Sequence, residues 1–358
     1  DPEMSRGLGD VYKRQISDYL GFRQVNYLCD VLLVLLLVVM LCRKQVKLNK
    51  TTNNIEYISI LAFAIVALIG WGLNTVRLPS ALWGLRNYGR FFLFFLLGRS
   101  LWNGEDVETM ENFFMKIFPI HMILIAFQYV VEGLNQDFLS GLFGKTAGGN
   151  GGLMIYLSVI LCIVICQFEY KKISTKKFVC YLLLIFVNAA LSELKFLFVL
   201  ASLLVVWYLA MSKRKGRGMI LALFFVIALY VGMQIFYYVF PFWANYLSFD
   251  NIMTMISDQE VYANQMDVGR TAVFSKLTPV ITKWAGQHAV WFGIGLGNGD
   301  YSDAIPMLNS AFYTVYGIMH YTWLSLGYLF VEVGYLGTIV YISFFVILEI
   351  KAIVAYQK

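Results

Sequence analysis

The groups in this chain that can do chemistry are charged and polar side chains set at the ends of long apolar runs. Arg86 and Arg90 lie four residues apart, which puts both guanidinium groups on one helix face. Two cations side by side repel unless an anion sits between them. The pair therefore reads either as a phosphate or diphosphate clamp or as arginines snorkelling to lipid headgroups. Glu193 and Lys195 occupy a hinge between two apolar runs, in ALSELKFLF. A turn needs only Gly, Ser or Asn, so these charges are surplus to folding; the alternative is a local ion pair marking the membrane boundary. Arg270 heads a stripe spaced by three and four, through Val273, Phe274, Leu277, Val280, Ile281 and Trp284. It is expected to point into protein or the membrane interface, with Pro279 kinking or restarting the helix behind it.

Four further features are weaker. In FGIGLGNGDYSD, Gly293, Gly295, Gly297 and Gly299 alternate. Without a βαβ unit around them they are no dinucleotide fingerprint, and they read as a tight re-entrant turn or as an anion nest of backbone N–H groups. Asn150, in GKTAGGNGGLMIY, is placed to cap a helix whose N-terminus carries a positive dipole end. His320 stands at the mouth of the last apolar run, where a general base or a phosphate ligand could work, or where it is simply structural. His121 reads as core. Glu332, deep in that last run, reads as an interhelical hydrogen-bonding group near Gly334 and Gly337. The five cysteines form no zinc or disulfide pattern, and no metal or other cofactor is expected.

The elements that must position these residues are membrane helices. The 358 residues are 59% hydrophobic and 14% charged, against about 25% charged for a soluble domain. A net charge of +6 is explained by cytoplasmic Lys and Arg and calls for no nucleic acid. Apolar runs fall at about 25–42, 56–73, 87–102, 116–132, 152–169, 178–192, 195–211, 219–240 and 322–348, an all-α polytopic membrane protein of about nine transmembrane helices. Basic clusters follow the first, fifth and seventh runs (at Arg43, Lys171 and Lys213), which makes alternate loops cytoplasmic. The loop after the third run should also be cytoplasmic but is acidic, with Glu105, Asp106, Glu108 and Glu111. The division is a non-native segment over 1–15, whose MSRGLGDVYKRQ resembles translated adapter read-through; helices over 16–240; a long extracytoplasmic catalytic loop with short amphipathic helices over 241–321; and a last helix with a cytoplasmic end over 322–358. The abrupt end suggests a further helix or two beyond it.

Read in order, four pieces resemble the bacterial O-antigen polymerase and ligase family, including exopolysaccharide repeat-unit polymerases. They are the Gly148–Gly152 turn opening a span, the charged hinge Ser192–Lys195, the long loop with an Arg helix leading into FGIGLGNG, and a span reading YLFVEVGYLG. The order covers about residues 80–350, and it is the order rather than any one piece that is specific. Two departures stand out: Lys195 where many relatives carry Arg, which loses a bidentate grip on phosphate, and a His farther from the last-span Glu than in the ligase branch, which favours a polymerase.

The resemblance implies an inverting, metal-independent glycosyltransferase in the bacterial cytoplasmic membrane with its site facing outward. Donor and acceptor would be undecaprenyl-diphosphate-linked glycans, with a chain-length regulator as a further partner. Arg270, Lys195, Arg86 and Arg90 would stabilise the departing diphosphate, and His320 or Glu193 would act as base. Asn150, Gly295 and Gly297 would line the substrate site. The competing classes are a ligase, a lipid-linked sugar transporter or flippase, and a structural subunit. A transporter predicts internal repeats and broken helices at mid-membrane, and the sequence displays neither.

Overall fold

The computed structural model describes residues 28–42, 55–145, 150–211, 215–241, 268–269, 272–302 and 305–357. Among them every regular element is helical. The helices are α1 (Leu28–Cys42), α2 (Ile55–Asn74), α3 (Leu78–Leu101), α4 (Gly104–Val130), α5 (Asn150–Glu169), α6 (Thr175–Leu191), α7 (Lys195–Met211), α8 (Lys215–Val239), α9 (Val273–Ala285), α10 (His288–Phe292), α11 (Ala311–Tyr316) and α12 (Ser325–Gln357). Short 3₁₀ turns join several of them.

Five helices are long and apolar enough to cross a membrane: α2, α4, α5, α8 and α12; α1 and α7 are apolar but shorter. Helix suits such sequences because lipid offers no partner to backbone N–H and C=O groups, and a helix satisfies them internally. Large apolar side chains stay exposed along these helices, such as Ile123 at 69% and Leu203 at 60%. In water an apolar surface of that extent would drive association, so the chain reads as a helical membrane protein.

Two compact units divide the chain. One holds α4 to α8; the other holds α1 to α3 together with α9 to α12.

In the first unit α5 runs through the middle, and Leu157, Ile160, Leu161 and Val164 are wholly buried. α6, α7 and α8 surround it with a core of Phe178, Phe186, Phe225 and Phe236. The acidic stretch that fitted a cytoplasmic loop poorly is the first turns of α4, which begins twelve residues before its apolar run. The Asn103 side chain accepts from the N–H groups of Glu105 and Asp106, and Asp106 accepts from the Asn103 N–H in a capping box. Carboxylates at a helix N-terminus are favoured by the dipole, and Glu108 pairs with Lys172 at 3.1 Å.

His121 is fully buried in this unit, as its apolar setting suggests. Its Nδ1 accepts from the Leu142 N–H at 3.3 Å, so the ring proton sits on Nε2. Nε2 meets the Asn188 amide at 2.8 Å, which must then present its oxygen. His121→Phe keeps the ring volume and orphans both partners. We expect it to lower stability by about 2–4 kcal/mol, measured as a thermal-melting shift in detergent.

In the second unit α2, α3 and α12 share a core of Phe63, Tyr88, Phe92, Val333 and Phe344. α9 and α11 pack on the first half of α12 through Val273, Leu277, Ile281, Phe312 and Phe330. α9 continues through Pro279 as one helix and does not restart there. At one end of the unit Glu56, 1% exposed, accepts from both Arg99 and Lys351.

Candidate functional site

α12 breaks at Gly334, whose φ of 64° and ψ of −166° are non-helical. The break turns later N–H groups away from the carbonyls of Val331 and Glu332. Loop residues replace them: the Ile294 N–H donates to Val331 O at 2.9 Å and the Gly295 N–H to Glu332 O at 3.0 Å. The glycine loop is thus threaded into the gap. Gly295 and Gly297 have positive φ, 92° and 80°. A Cβ on Gly295 would lie 2.5 Å from Val76 Cγ2, and one on Gly297 would fall onto the Ser80 carbonyl. At Gly293 and Gly297 backbone meets backbone, that of Glu332 and of Ser80.

The Glu332 side chain is fully buried and caps the same loop. Its Oε1 accepts from the Gly297 N–H at 2.8 Å and the Gly299 N–H at 3.3 Å. Of the two readings of these glycines, turn and anion nest, the loop is a turn whose N–H groups hold the chain's own carboxylate. The N–H groups of Gly295 and Gly297, expected to line a substrate site, are spent inside the fold.

A relay of polar groups leads from this point. Asp30 pairs with Arg86, accepting at 2.5 and 3.0 Å. Arg86 also donates to Asn87 Oδ1 at 3.3 Å, which fixes the amide so that its Nδ2 donates to Asp300 at 3.0 Å and to Tyr328 Oη at 3.3 Å. Asp300 keeps an edge towards solvent. Burial pushes its carboxyl above the usual 3.8, against hydrogen bonds from the Tyr301 N–H and Asn87 that pull it down. A raised carboxyl stabilises the fold fully below its unfolded value, and that contribution is lost as pH rises through the folded value. Asp300→Asn should therefore gain stability relative to the unsubstituted chain as pH climbs from about 4, by about 1.4 kcal/mol for each unit of upward shift. Paired melting curves over pH check this.

Arg86 is thus matched to a carboxylate within the chain. It also stacks over Trp83, its guanidinium carbon 4.3 Å from the ring centroid. Arg90 differs. Half-buried, it lies over Phe91 at 5.3 Å and forms no ion pair among the described residues. Because α3 starts at Leu78, nine residues before its apolar run, Arg86 and Arg90 sit about two and three turns inside the helix. His320 takes a left-handed conformation (φ 50°) and stacks on Trp323 with ring centroids 3.8 Å apart. His288 meets Asn74, which donates to Gly293 O and clips the start of the glycine loop.

The charged hinge belongs to the first unit. Glu193 has φ 57°, a conformation suited to glycine, and pairs with Lys195 at 3.0 Å. Its setting is held from beneath. Asn150 Nδ2 donates to Ser192 O at 2.9 Å, and Ser140 Oγ donates to Asn150 Oδ1 at 3.1 Å. Gln128 clamps the neighbouring turn by accepting from the Gly141 N–H at 2.7 Å and donating to Gly141 O at 3.1 Å. Ser192 Oγ reaches Asn188, the partner of His121. Asn150, expected to touch substrate, ties one turn to the hinge.

Arg270 lies outside the described residues, as do residues 1–15 and 242–267. Glu193, Lys195 and Asn150 come together in the first unit; Arg86, Arg90, Gly295, Gly297 and His320 belong to the second. Sequence reasoning missed Asn87, Asp300 and Tyr328. Asp300 carried a signal, since it directly follows the glycine run. Among the described residues no group of three His, Cys, Asp or Glu is arranged to hold a metal. No family model, curated protein or solved structure matches the chain.

Proposed function

We propose that the protein polymerises undecaprenyl-diphosphate-linked oligosaccharide repeat units into a surface polysaccharide by inverting glycosyl transfer. In this reading all nine long helices span the bacterial cytoplasmic membrane and the hinge faces outward. The observation that carries it is the Glu193–Lys195 hinge. A glutamate sits where glycine would cost nothing, beside a fixed cation, on a turn braced by buried hydrogen bonds. Strain held in place by its surroundings is typical of sites that do work.

The chemistry needs what that hinge offers. An acceptor hydroxyl attacks the anomeric carbon as the bond from that carbon to the diphosphate oxygen breaks. Undecaprenyl diphosphate leaves with the bonding electrons, and Lys195 offsets its growing charge. The hydroxyl proton passes to Glu193 as the base.

Native mass spectrometry of the full chain with undecaprenyl diphosphate tests the reading. Saturable binding, weakened at least about tenfold (~1.4 kcal/mol) in Lys195→Ala, is expected. Equal binding of undecaprenol would overturn it.

One observation favours a second reading, transport of a lipid-linked sugar. The break of α12 at Gly334, beside a buried carboxylate, is the kind of interrupted helix that transporters place at a binding site. Movement of a fluorescent lipid-linked sugar across proteoliposomes without any polymer formed would select it.

A further inference from the structure

Glu332 and Glu56 are both buried carboxylates in the second unit, and they are treated in opposite ways. Glu56 receives two cations, Arg99 and Lys351. Glu332 receives two backbone N–H groups on Oε1, while Oε2 closes no hydrogen bond among the described residues. Tyr88 is buried, and its hydroxyl lies beside this carboxylate and also closes no hydrogen bond of normal geometry. Asp300, whose neighbour Gly299 bonds Glu332, is the second carboxylate here, and neither has a Lys or Arg partner among the described residues.

Among the described residues the following groups surround the pair, with the Trp83 side chain also bonded to Asp300. α3 contributes Tyr88 and the neutral Asn87, with Arg86 one hydrogen bond farther and already on Asp30. α12 contributes Tyr328, stacked on Tyr88 with centroids 5.9 Å apart. The 3₁₀ turn before α12 contributes Tyr321, which donates to Gly299 O at 2.6 Å. These are neutral phenols; burial and the two carboxylates push Tyr321 up, so it does not ionise to any useful degree at neutral pH.

Two neighbouring carboxylates with no cation cannot both remain ionised in such a setting. A positive charge must be taken up. A metal ion asks for about six oxygens. Among the described residues no third His, Cys, Asp or Glu joins Glu332 and Asp300 to complete such a set. A proton needs one oxygen. We infer that Glu332 and Asp300 form a buried binding site for a single proton, beneath the glycine loop, with Tyr88 as the hydrogen-bond partner of the acid it creates. Bound there, the proton removes the repulsion between the two carboxyl groups. It also turns Oε2 into a donor that the Tyr88 hydroxyl can accept from. This site is independent of the sugar chemistry proposed above.

Infrared spectroscopy of the full chain in nanodiscs tests it at neutral pH, in sodium-free and in sodium buffer. The expected result is a protonated-carboxyl carbonyl band that is unchanged by sodium, shifts with isotope-labelled glutamate or aspartate, and is lost in Glu332→Gln or in Asp300→Asn. The isotope shift needs no substitution, so it stands even if a variant fails to fold. Absence of the band, its disappearance on adding sodium, or its persistence in both variants would overturn the proposal.

Discussion

Gly297→Ala should yield no folded second unit. The new methyl would fall onto the Ser80 carbonyl, and the residue holds φ at 80°, where an L side chain is strained in any case. Ser80 belongs to the first turn of α3, so it cannot move without moving the helix. Shifting Gly297 instead would draw its N–H away from Glu332 and leave a buried carboxylate short of a donor. These effects act together, and a cost above about 4–5 kcal/mol is expected, comparable with the whole stability of a typical domain at about 5–15 kcal/mol. Gly84→Ala attacks the same contact from the helix side, since its Cβ would fall onto the Gly297 N. Gly72→Ala, in α2 with nothing within 4 Å of the added carbon, is the control and should be neutral or slightly stabilising. Size-exclusion profiles and melting curves of the three variants decide. A Gly297→Ala protein melting within a few degrees of the unsubstituted chain would mean that the loop is not held as described.

Lys195→Ala separates function from stability. Its partner Glu193 is 3.0 Å away, and the lysine side chain is 35% exposed, so loss of the pair should cost less than ~1 kcal/mol. If Lys195 stabilises a departing diphosphate, polymer formation should fall about 100- to 1,000-fold. Lys195→Arg should recover much of the rate. Glu193→Gly supplies the complementary result, because glycine accepts φ 57° without penalty. It should melt higher, by about 1 kcal/mol of released strain, and polymerise more slowly if Glu193 is a base. Stability and activity moving in opposite directions at one residue is a signature that a plain structural turn cannot produce. Polymer yield and chain length unchanged in both Lys195→Ala and Glu193→Gly would remove the hinge from the mechanism.

The nine apolar runs each contain a helix, because hydrophobic periodicity survives in any sequence that must face lipid. Helix ends were less legible. α3 and α4 begin well before their apolar segments, where polar residues belong to the helix but not to its apolar face. The signals were present, in Pro79 within the first turn of α3 and in the Asn103 to Asp106 spacing that forms a capping box. The glycine alternation marked a tight structure, but it could not say what approached each glycine. Those neighbours, Ser80 and Val76, are more than 200 residues away in the chain. The same distance hid Asn87 from Asp300. Arg86 was legible as a cation in need of an anion, but Asp30 was not legible as that anion.

The division of the chain has a consequence for its birth at the ribosome. The second unit is assembled from two stretches, 29–101 and 253–358, with helices α4 to α8 of the first unit translated between them. At typical synthesis speeds of about 5–20 residues per second, α2 and α3 wait for about ten to forty seconds before the glycine loop can reach them. During that interval Gly70 and Gly84 present a bare groove, and Asn87 has neither Asp300 nor Tyr328 to bond. A nascent chain halted before Gly293 would thus display an unfilled seam to membrane proteases, while one halted a few turns later would have closed it.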